Sequence, residues 1–264
     1  MGKSLIPAQR RERIQTYLAT HKIVATSELC DLLQVSEATV RRDLEWMEEQ
    51  GWIERTHGGA ILNERINLEQ EYQQRAQRFP EAKRRIGALA ASLIKDSDIV
   101  FINSGTTTTQ VIRQIPSHVK TTIITNNLMA ALEVGETDYE LLLLGGTFQP
   151  RSNSVAGRFA ISNLSQVYAT KAFLGVDGVS LKHGYTVPSN AEAEVVHMML
   201  ERTQGEVYVV SDHSKWGVVS NFEIAPIQRI KRLITDEGLD ANARASLAGR
   251  EVELMIANGI PIKA

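Results

Sequence analysis

The spacing of apolar residues along the chain changes near residue 60. Before that point, apolar residues recur every three or four positions, as they do on one face of an amphipathic helix. Three stretches have this spacing: Ile14, Tyr17 and Leu18; Leu29, Leu32 and Leu33; and Val40, Leu44 and Met47. We therefore predict three short helices in the N-terminal part of the chain.

Beyond about residue 85, short apolar runs alternate with amphipathic stretches. Six runs are predicted to be strands: IVFI (99–102), TTIIT (121–125), ELLLL (140–144), AFLGV (172–176), EVYVV (206–210) and RLIT (232–235). Continuous apolar strands separated by helices are typical of a mostly parallel sheet that is covered on both faces. The predicted fold class is α/β, with a small N-terminal helical domain followed by a mostly parallel α/β sheet domain.

The segment NERINLEQEYQQRAQRFPEAKRR, residues 63–85, is polar and separates the two patterns. Proline is tolerated in the first turn of a helix, so the segment is predicted to become helical after Pro80. The predicted organisation is residues 1–62 as the first domain, residues 63–85 as a linker and residues 86–264 as the sheet domain.

Composition narrows the class of protein. The chain has 264 residues, 43% of them hydrophobic and 23% charged, which is ordinary for globular domains. No stretch has the apolar character of a signal peptide or a membrane span, so we expect a cytoplasmic protein with no membrane partner. The single cysteine, Cys30, excludes a disulfide framework, and the scattered histidines form no ligand pair, so no metal or other cofactor is expected.

The second and third predicted helices are separated by the short turn QVS (34–36). Ser36 can cap the third helix, and Gly51 can end it. Two helices joined in this way, the second with small polar and cationic residues near its start, are typical of a helix-turn-helix that reads the major groove of DNA. The following WIERTHGGA is predicted to form a tight ribbon, or wing, with Arg55 and His57 at its edge.

An alternative is a small helical bundle with two surface arginines. Charge does not exclude it, because acidic residues slightly outnumber basic ones in residues 1–62 and the net charge of the chain is −2. The combination of helix spacing, turn and ribbon favours the DNA-binding interpretation.

The stretch VSEATVRRDLEWMEEQGWIERTHGGA resembles the signature of the DeoR family of bacterial transcriptional regulators. Its members share a Val-Ser, a Thr-(apolar)-Arg-Arg-Asp-Leu and an Arg-(Thr/Val)-His-Gly-Gly-Ala wing, and nearly all of residues 8–60 fits this pattern. The resemblance implies that the partner is double-stranded operator DNA. It implies six DNA-contacting residues: Ser36, Thr39, Arg41 and Arg42 of the recognition helix, and Arg55 and His57 of the wing.

Within this set, Arg41 and Arg42 are best suited to bind guanine or phosphate through two parallel hydrogen bonds. The neighbouring Asp43 is acidic and cannot favour phosphate. We expect it to orient an arginine or to tie the recognition helix to the wing.

The loop NSGTTTTQ, residues 103–110, follows the first predicted strand and begins a helix. Ligands of α/β sheets bind at the carboxyl ends of strands, and a helix N-terminus attracts anions. Backbone N–H groups and hydroxyls of five residues are candidates to bind an oxyanion: Ser104, Gly105, Thr106, Thr107 and Thr108. The same residues can equally cap the helix and form local turns. Nucleotides are not favoured, because no GxxxxGK[ST] or strand-linked GxGxxG occurs.

Polar or glycine-rich sequence follows several other predicted strands. The candidates for a shared ligand site are Asn126, Gly146, Asp177 and Lys215. Each of them can also be ordinary turn chemistry. A phosphate at the loop and hydroxyls near Asp177 would describe a sugar phosphate, with Lys215 as a compact cationic partner.

The series SGTT, TNN, LGG, GVDG and SDHSK is similar to the sensor domain of the DeoR family. That domain is similar in fold to ribose-5-phosphate isomerase and the CoA transferases, and it binds phosphorylated sugars or sugar derivatives. Many members have Asp where this chain has Asn103, so the charge of the loop differs and its ligand preference is open.

Isomerases of that fold carry a loop resembling Asp-Gly-Ala-Asp-Glu. Here the corresponding stretch is DGVSL (177–181), in which only the first carboxylate remains. Glu192 and Glu194 begin a predicted helix, where the helix dipole by itself favours acidic residues. We therefore predict that the protein has no catalytic residues and is not an enzyme, and we retain a sugar-phosphate isomerase with an attached regulatory DNA-binding domain as the alternative.

The resemblance implies a repressor of a carbohydrate-utilisation operon that a phosphorylated sugar relieves. It also implies a homodimer or homotetramer, whose paired helix-turn-helix units would bind repeated half-sites.

Overall fold

The computed structural model describes residues 6–21, 23–49, 53–56, 58–62 and 72–258. The chain divides into two compact units, Met1–Arg65 and Ile66–Ala264, which we call the N-terminal and C-terminal units and describe separately. No helix in the described ranges combines the length and the apolar character needed to cross a membrane.

The N-terminal unit contains three helices and a small sheet. Its elements are α1 (Pro7–His21), β1 (Ile23–Ala25), α2 (Thr26–Leu33), α3 (Glu37–Glu49), β2 (Ile53–Thr56) and β3 (Gly59–Leu62). The three strands pair antiparallel in the order β1-β3-β2. The three predicted helices and the predicted wing, the β2–β3 hairpin, are therefore confirmed.

The core of the N-terminal unit follows the predicted helical spacing. Ile14, Leu18, Leu29, Val40 and Leu44 are all buried. Leu32 was expected on the same apolar face and is instead exposed.

The turn between α2 and α3 has a local cause. Gln34 takes a left-handed conformation with φ of 54°, and its side-chain amide donates to the carbonyl of Asp31. This conformation ends α2 and lets the chain restart as α3 three residues later. The N–H of Thr26 also donates to the carbonyl of Gly58, which ties the start of α2 to the turn of the wing.

The C-terminal unit alternates strands and helices. Its elements are α4 (Tyr72–Gln77), α5 (Pro80–Ala91), β4 (Ile99–Ile102), α6 (Thr106–Arg113), β5 (Thr122–Thr125), α7 (Leu128–Glu133), β6 (Glu140–Leu143), β7 (Thr147–Gln149), β8 (Ser154–Ala156), α8 (Arg158–Leu164), β9 (Ala169–Gly175), β10 (Gly178–Ser180), β11 (Gly184–Val187), α9 (Asn190–Glu201), β12 (Thr203–Val210), β13 (Phe222–Ala225), β14 (Arg232–Asp236), α10 (Ala241–Ala248) and β15 (Glu253–Ala257). Short 3-10 turns cover His213–Lys215 and Ile227–Arg229.

Seven of these strands form one sheet in the order β15-β14-β12-β9-β4-β5-β6, and all its described pairs are parallel. The six predicted strands and the mostly parallel sheet are confirmed. The sequence did not predict β15, nor the small sheets β10-β11-β13 and β7-β8. All five strands of these two small sheets are only three or four residues long, which is too short for a periodic signal.

The order of the strands reverses between β4 and β9. From β4 the chain adds β5 and β6 on one side, whereas β9, β12, β14 and β15 follow on the other. Val100 and Ile102 pack on the face covered by α5 and α6, and Phe101 and Leu174 pack on the face covered by α9. Ligands of such sheets bind where the strand order reverses, at the carboxyl ends of the strands.

The predicted helix after Pro80 is present as α5, which begins at Pro80. Tyr72 and Lys83 are buried within the C-terminal unit. Residues 72–85, which the sequence suggested as the later part of a linker, therefore lie in that unit. The domain boundaries themselves stay a prediction.

Candidate functional site

A cavity opens at the point where β4 and β9 lie side by side, and we call it the switch-point cavity. Its empty space, part of which is open solvent, amounts to about 730 Å³. Seven predicted site residues line it: Ser104, Gly105, Thr106, Thr107, Asn126, Asp177 and Lys215. The structure thus brings together residues from four separate strand ends, whereas their role in binding stays a prediction.

The loop after β4 presents the start of α6 to this cavity. Gly105 is the N-cap of α6 and has no side chain to cap the helix, so the first N–H groups of α6 are open to an anion. Thr106 and Thr107 line the cavity beside these groups.

Thr108, also a predicted site residue, is not among the residues that line the cavity. Its side chain is fully buried, and its hydroxyl donates to the carbonyl of Gly105. Thr109 makes the same contact. The expectation of local Ser/Thr turns is therefore correct for the inner side of the loop.

Gly146 also lies outside the cavity, contrary to the prediction. A Cβ atom at Gly146 would come within 2.6 Å of the carbonyl oxygen of Ala156. The residue is thus glycine because two backbone segments approach closely there.

Asn126 lines the cavity, but its side-chain amide forms hydrogen bonds with backbone groups of the protein. Its Oδ1 accepts from the N–H of Ser104 at 2.8 Å, and its Nδ2 donates to the carbonyl of Val155 at 3.0 Å. The side chain therefore fixes the loop after β4 relative to β8.

Asp177 is the centre of a charge cluster. Its Oδ1 lies 3.4 Å from Nζ of Lys215 and 3.3 Å from Nη1 of Arg75. Burial would raise the pKa of Asp177, but the charges of Lys215 and Arg75 outweigh it and hold the pKa below its ordinary value. Asp177 is therefore ionised near neutral pH and can accept hydrogen bonds from hydroxyl groups.

Lys83 reaches the cavity from α5. Its Nζ donates to the carbonyls of Arg75 and Arg78, at 2.5 and 2.6 Å, and lies 3.9 Å from Oδ2 of Asp212. Burial lowers the pKa of Lys83 to about 8, although Asp212 opposes the shift. The ammonium group is charged at neutral pH and has a third donor for another acceptor.

Glu192 reaches the cavity from the first turn of α9. Burial first, and then the charge of Asp177, raise its pKa to about 7, while Arg75 and a hydrogen bond to Ser152 oppose the shift. From the sequence, the helix dipole alone accounts for an acidic residue at position 192. In the structure, Glu192 also lines the cavity.

Several other residues that line the cavity were not among the predicted site residues: Arg75, Arg78, Lys83, Asn103, Ser152, Glu192, Asp212 and Ser214. Three of these are cations from the segment that the sequence suggested as a linker. The run of arginines and lysines there was their only signal. Four cations and three carboxyl groups now face the same space, which suits an anionic ligand that also carries hydroxyls. Within the described residues, no three His, Cys, Asp or Glu side chains are grouped to hold a metal ion.

The recognition helix α3 presents its predicted DNA-facing residues at the surface. Ser36, Arg41 and Arg42 are exposed, and Thr39 is half-buried. The hydroxyls of Ser36 and Thr39 are 2.9 Å apart. Arg41 pairs with Glu37 at 2.6 Å, and both side chains are about 60% exposed (60% and 59%). Exposed pairs of this kind are weak, so the pair leaves Arg41 available to another anion.

Of the two roles expected for Asp43, the structure shows the first, which is to orient an arginine. Its carboxylate accepts from Nε of Arg10 at 2.6 Å and from Nε of Arg11 at 3.2 Å, so it joins α3 to α1 rather than to the wing. The wing is joined to α3 by Arg55, whose Nη1 lies 3.1 Å from Oε1 of Glu45. His57 lies outside the described residues.

Two family models match the chain. The DeoR-like helix-turn-helix domain matches residues 10–66, and the DeoR C terminal sensor domain matches residues 78–237. The HTH-type transcriptional regulator GlpR of Haloferax volcanii is 34% identical over 95% of this chain and 98% of its own length. The HTH-type transcriptional repressor GlcR of Bacillus subtilis is 36% identical over 94% of this chain and 95% of its own length.

Ribose-5-phosphate isomerases align with this chain, as the predicted likeness implies, but the structural similarity is low. Ribose 5-phosphate isomerase A of Methanocaldococcus jannaschii aligns over 52% of this chain and 54% of its own, with a TM-score of 0.38 and 16% identity. A score this low carries no conclusion about ligand or activity.

Proposed function

Because this chain belongs to the DeoR family of transcriptional regulators, we propose that it represses an operon for carbohydrate use. A phosphorylated sugar or sugar derivative bound in the switch-point cavity then relieves the repression. The observation that carries the effector part of the proposal is the Arg75–Asp177–Lys215 cluster beside the uncapped start of α6.

The operator-binding surface in this proposal is the exposed start of α3 together with the wing. Ser36, Thr39, Arg41 and Arg42 would contact bases and phosphates, and Arg55 and His57 would contact the DNA backbone. The exposure of Arg41 and Arg42, beside a helix-turn-helix core that is complete without them, supports these roles.

The effector in this proposal has a phosphate at the start of α6 and hydroxyls at Asp177. The N–H groups of the helix start and the cations Lys83, Lys215 and Arg75 would bind the phosphate. Ionised Asp177 would accept hydrogen bonds from sugar hydroxyls, which supports a sugar phosphate over a simple inorganic anion.

The isomerase alternative has one observation in its favour, the carboxyl of Glu192 close to Asp177 in the cavity. The two family models and the curated relatives describe regulators, however, and the protein is a regulator rather than an enzyme. Glu192 is in our account a ligand-facing group that tunes the charge of the cavity.

We also propose that the protein acts in the cytoplasm as a homodimer or homotetramer. Leu142 and Leu143 on the edge strand β6, and Leu132 on the adjacent α7, are exposed, which supports an interface at this edge. Leu143→Lys should lower the mass measured by sedimentation while the melting temperature stays similar. An unchanged mass would remove this edge from the interface.

The effector is tested by a thermal-shift screen. The panel contains phosphorylated pentoses and hexoses, glycerol phosphate and inorganic phosphate, each sugar paired with its unphosphorylated form. A bound ligand raises the melting temperature by mass action, so at least one sugar phosphate should raise it while its unphosphorylated form does not. A panel without any such difference contradicts the sugar-phosphate proposal.

A further inference from the structure

We propose that α4 is the element through which the effector acts on the rest of the protein, and that Arg75 couples α4 to the occupancy of the switch-point cavity. The inference rests on the function proposed above. Arg75 has a positioning role in it, and the order of α4 depends on the ligand.

The position of α4 in the chain makes it a candidate. Residues 66–71 lie between the N-terminal unit and α4 in the sequence, and α4 is the first described element of the C-terminal unit. With six residues, Tyr72–Gln77, it is far too short to be stable by itself. Its order therefore depends on the contacts that hold it in place.

Those contacts lead to the loop and the cavity. The hydroxyl of Tyr72 is 2.6 Å from Oγ1 of Thr109, which also donates to the carbonyl of Gly105. The guanidinium of Arg75 lies 3.3 Å from Asp177 and 3.5 Å from the carbonyl of Arg151. Residues that would bind the effector thus also hold α4.

Lys83 also contacts both α4 and the cavity through a single group, its ammonium. Its ammonium binds the carbonyls of Arg75 and Arg78, at the end of α4 and in the turn that follows. The same ammonium lines the cavity and faces Asp212. An anion that binds the Lys83 ammonium places a negative charge next to the group that holds the end of α4.

Arg75 is incompletely satisfied in the structure. Its Nε is buried and has no hydrogen-bond partner among the described residues, and its Nη contacts are long. Buried donors of a charged group are costly to leave unpaired. An anionic oxygen in the cavity would give the Nη atoms a further acceptor beside their contacts of 3.3 and 3.5 Å, so a phosphate should bind the state with α4 docked better than the state with α4 released.

A purely structural account is also available, in which Tyr72 holds α4 and Arg75 only fills space. The two accounts differ in what an anion does. If Arg75 couples α4 to the cavity, an anion slows amide exchange in α4. If it does not, exchange in α4 is indifferent to the anion.

The test measures hydrogen exchange of peptides covering residues 72–78 in the full chain, with inorganic phosphate as the probe and calorimetry to record its binding. The matched variants are Arg75→Met and Arg84→Met. Arg84 lies on α5, is not among the residues that line the cavity, and pairs with Glu81. Arg75→Lys restores the charge without the planar fork, and melting temperatures show that each variant is folded.

We expect phosphate to slow exchange in α4 at least threefold in the unaltered protein and in Arg84→Met. Arg75→Met should lose this effect and exchange faster without phosphate, with Arg75→Lys in between. Equal exchange with and without phosphate in the unaltered protein, or an unchanged response in Arg75→Met, overturns the proposal. Failure of phosphate to bind at all overturns it too, because the anion site would be wrong.

The same variants separate this inference from the proposed function. If sugar phosphates release operator DNA but α4 does not respond, the regulator stands and α4 is not its coupling element. If α4 responds but operator affinity does not change with any sugar phosphate that binds, the coupling of α4 to the cavity stands and the proposed switch fails.

Discussion

The side-chain amide of Asn103 exchanges two hydrogen bonds with the backbone of Gly175. Its Oδ1 accepts from the N–H of Gly175 at 2.7 Å, and its Nδ2 donates to the carbonyl of Gly175 at 3.0 Å. These bonds join the ends of β4 and β9, at the reversal in strand order. The bond from Nδ2 requires an amide, because an ionised carboxylate accepts hydrogen bonds but cannot donate one.

Asn103→Asp should therefore destabilise the C-terminal unit. The buried carboxylate would lose one bond and face the carbonyl oxygen of Gly175, at a cost of about 2 kcal/mol at neutral pH. Chemical denaturation measures the change, and the loss should shrink at acidic pH, where the carboxyl regains a donor. Asn221→Asp is the control, since Asn221 is exposed. Equal stability of Asn103→Asp and the parent protein at neutral pH would contradict this role.

Arg41→Ala should weaken operator binding without destabilising the protein. The exposed Arg41–Glu37 pair contributes at most about 1 kcal/mol to folding, whereas a lost contact to guanine or phosphate costs about 1–3 kcal/mol of binding. Anisotropy titrations at several salt concentrations measure the binding. Arg84→Ala is the matched control, because Arg84 forms a similar exposed pair with Glu81 in the C-terminal unit. Identical operator affinities for the two variants would exclude Arg41 from the interface.

Glu192→Gln should change how stability depends on pH. Folding raises the pKa of Glu192 from 4.5 to about 7, so the folded state keeps a proton that the unfolded state has released. The contribution of Glu192 to the free energy of unfolding is therefore greatest below about pH 4.5 and is lost as the pH rises to about 7. Gln has no proton to lose.

The gain of Glu192→Gln over the parent protein should accordingly grow between pH 5 and pH 7.5, by up to about 3 kcal/mol. Denaturation midpoints across this range measure it. Glu194→Gln, two residues along the same helix and exposed, should follow the parent curve. Parallel curves for Glu192→Gln and the parent would mean that Glu192 is not held in a low-dielectric site.

The sequence predicted the elements whose signal is local. The helices around Val40 and Leu44 and the strand IVFI carry periodic or continuous apolar patterns, which short-range packing requires. Ser104 to Thr107 could be located for the same reason, because a loop between a buried strand and a helix has a recognisable composition.

The rest of the cavity depends on distant parts of the chain. Arg75 meets Asp177 across about one hundred positions of sequence (102), and no local pattern predicts such a contact. Thr108 and Gly146 are residue types that are common in ligand-binding loops, but in the structure they hold the backbone or allow it to pack closely. The sequence alone does not show which residues of a loop face the ligand and which face the protein interior.

The most direct test of the account measures operator affinity as a function of effector. Operator DNA selected from a random pool is titrated with protein at fixed salt, with and without each sugar phosphate that raises the melting temperature. We predict that at least one of them weakens operator binding tenfold or more, about 1.4 kcal/mol, and that Lys215→Met reduces the effect. Unchanged operator affinity at saturating concentrations of every sugar phosphate that binds would contradict it.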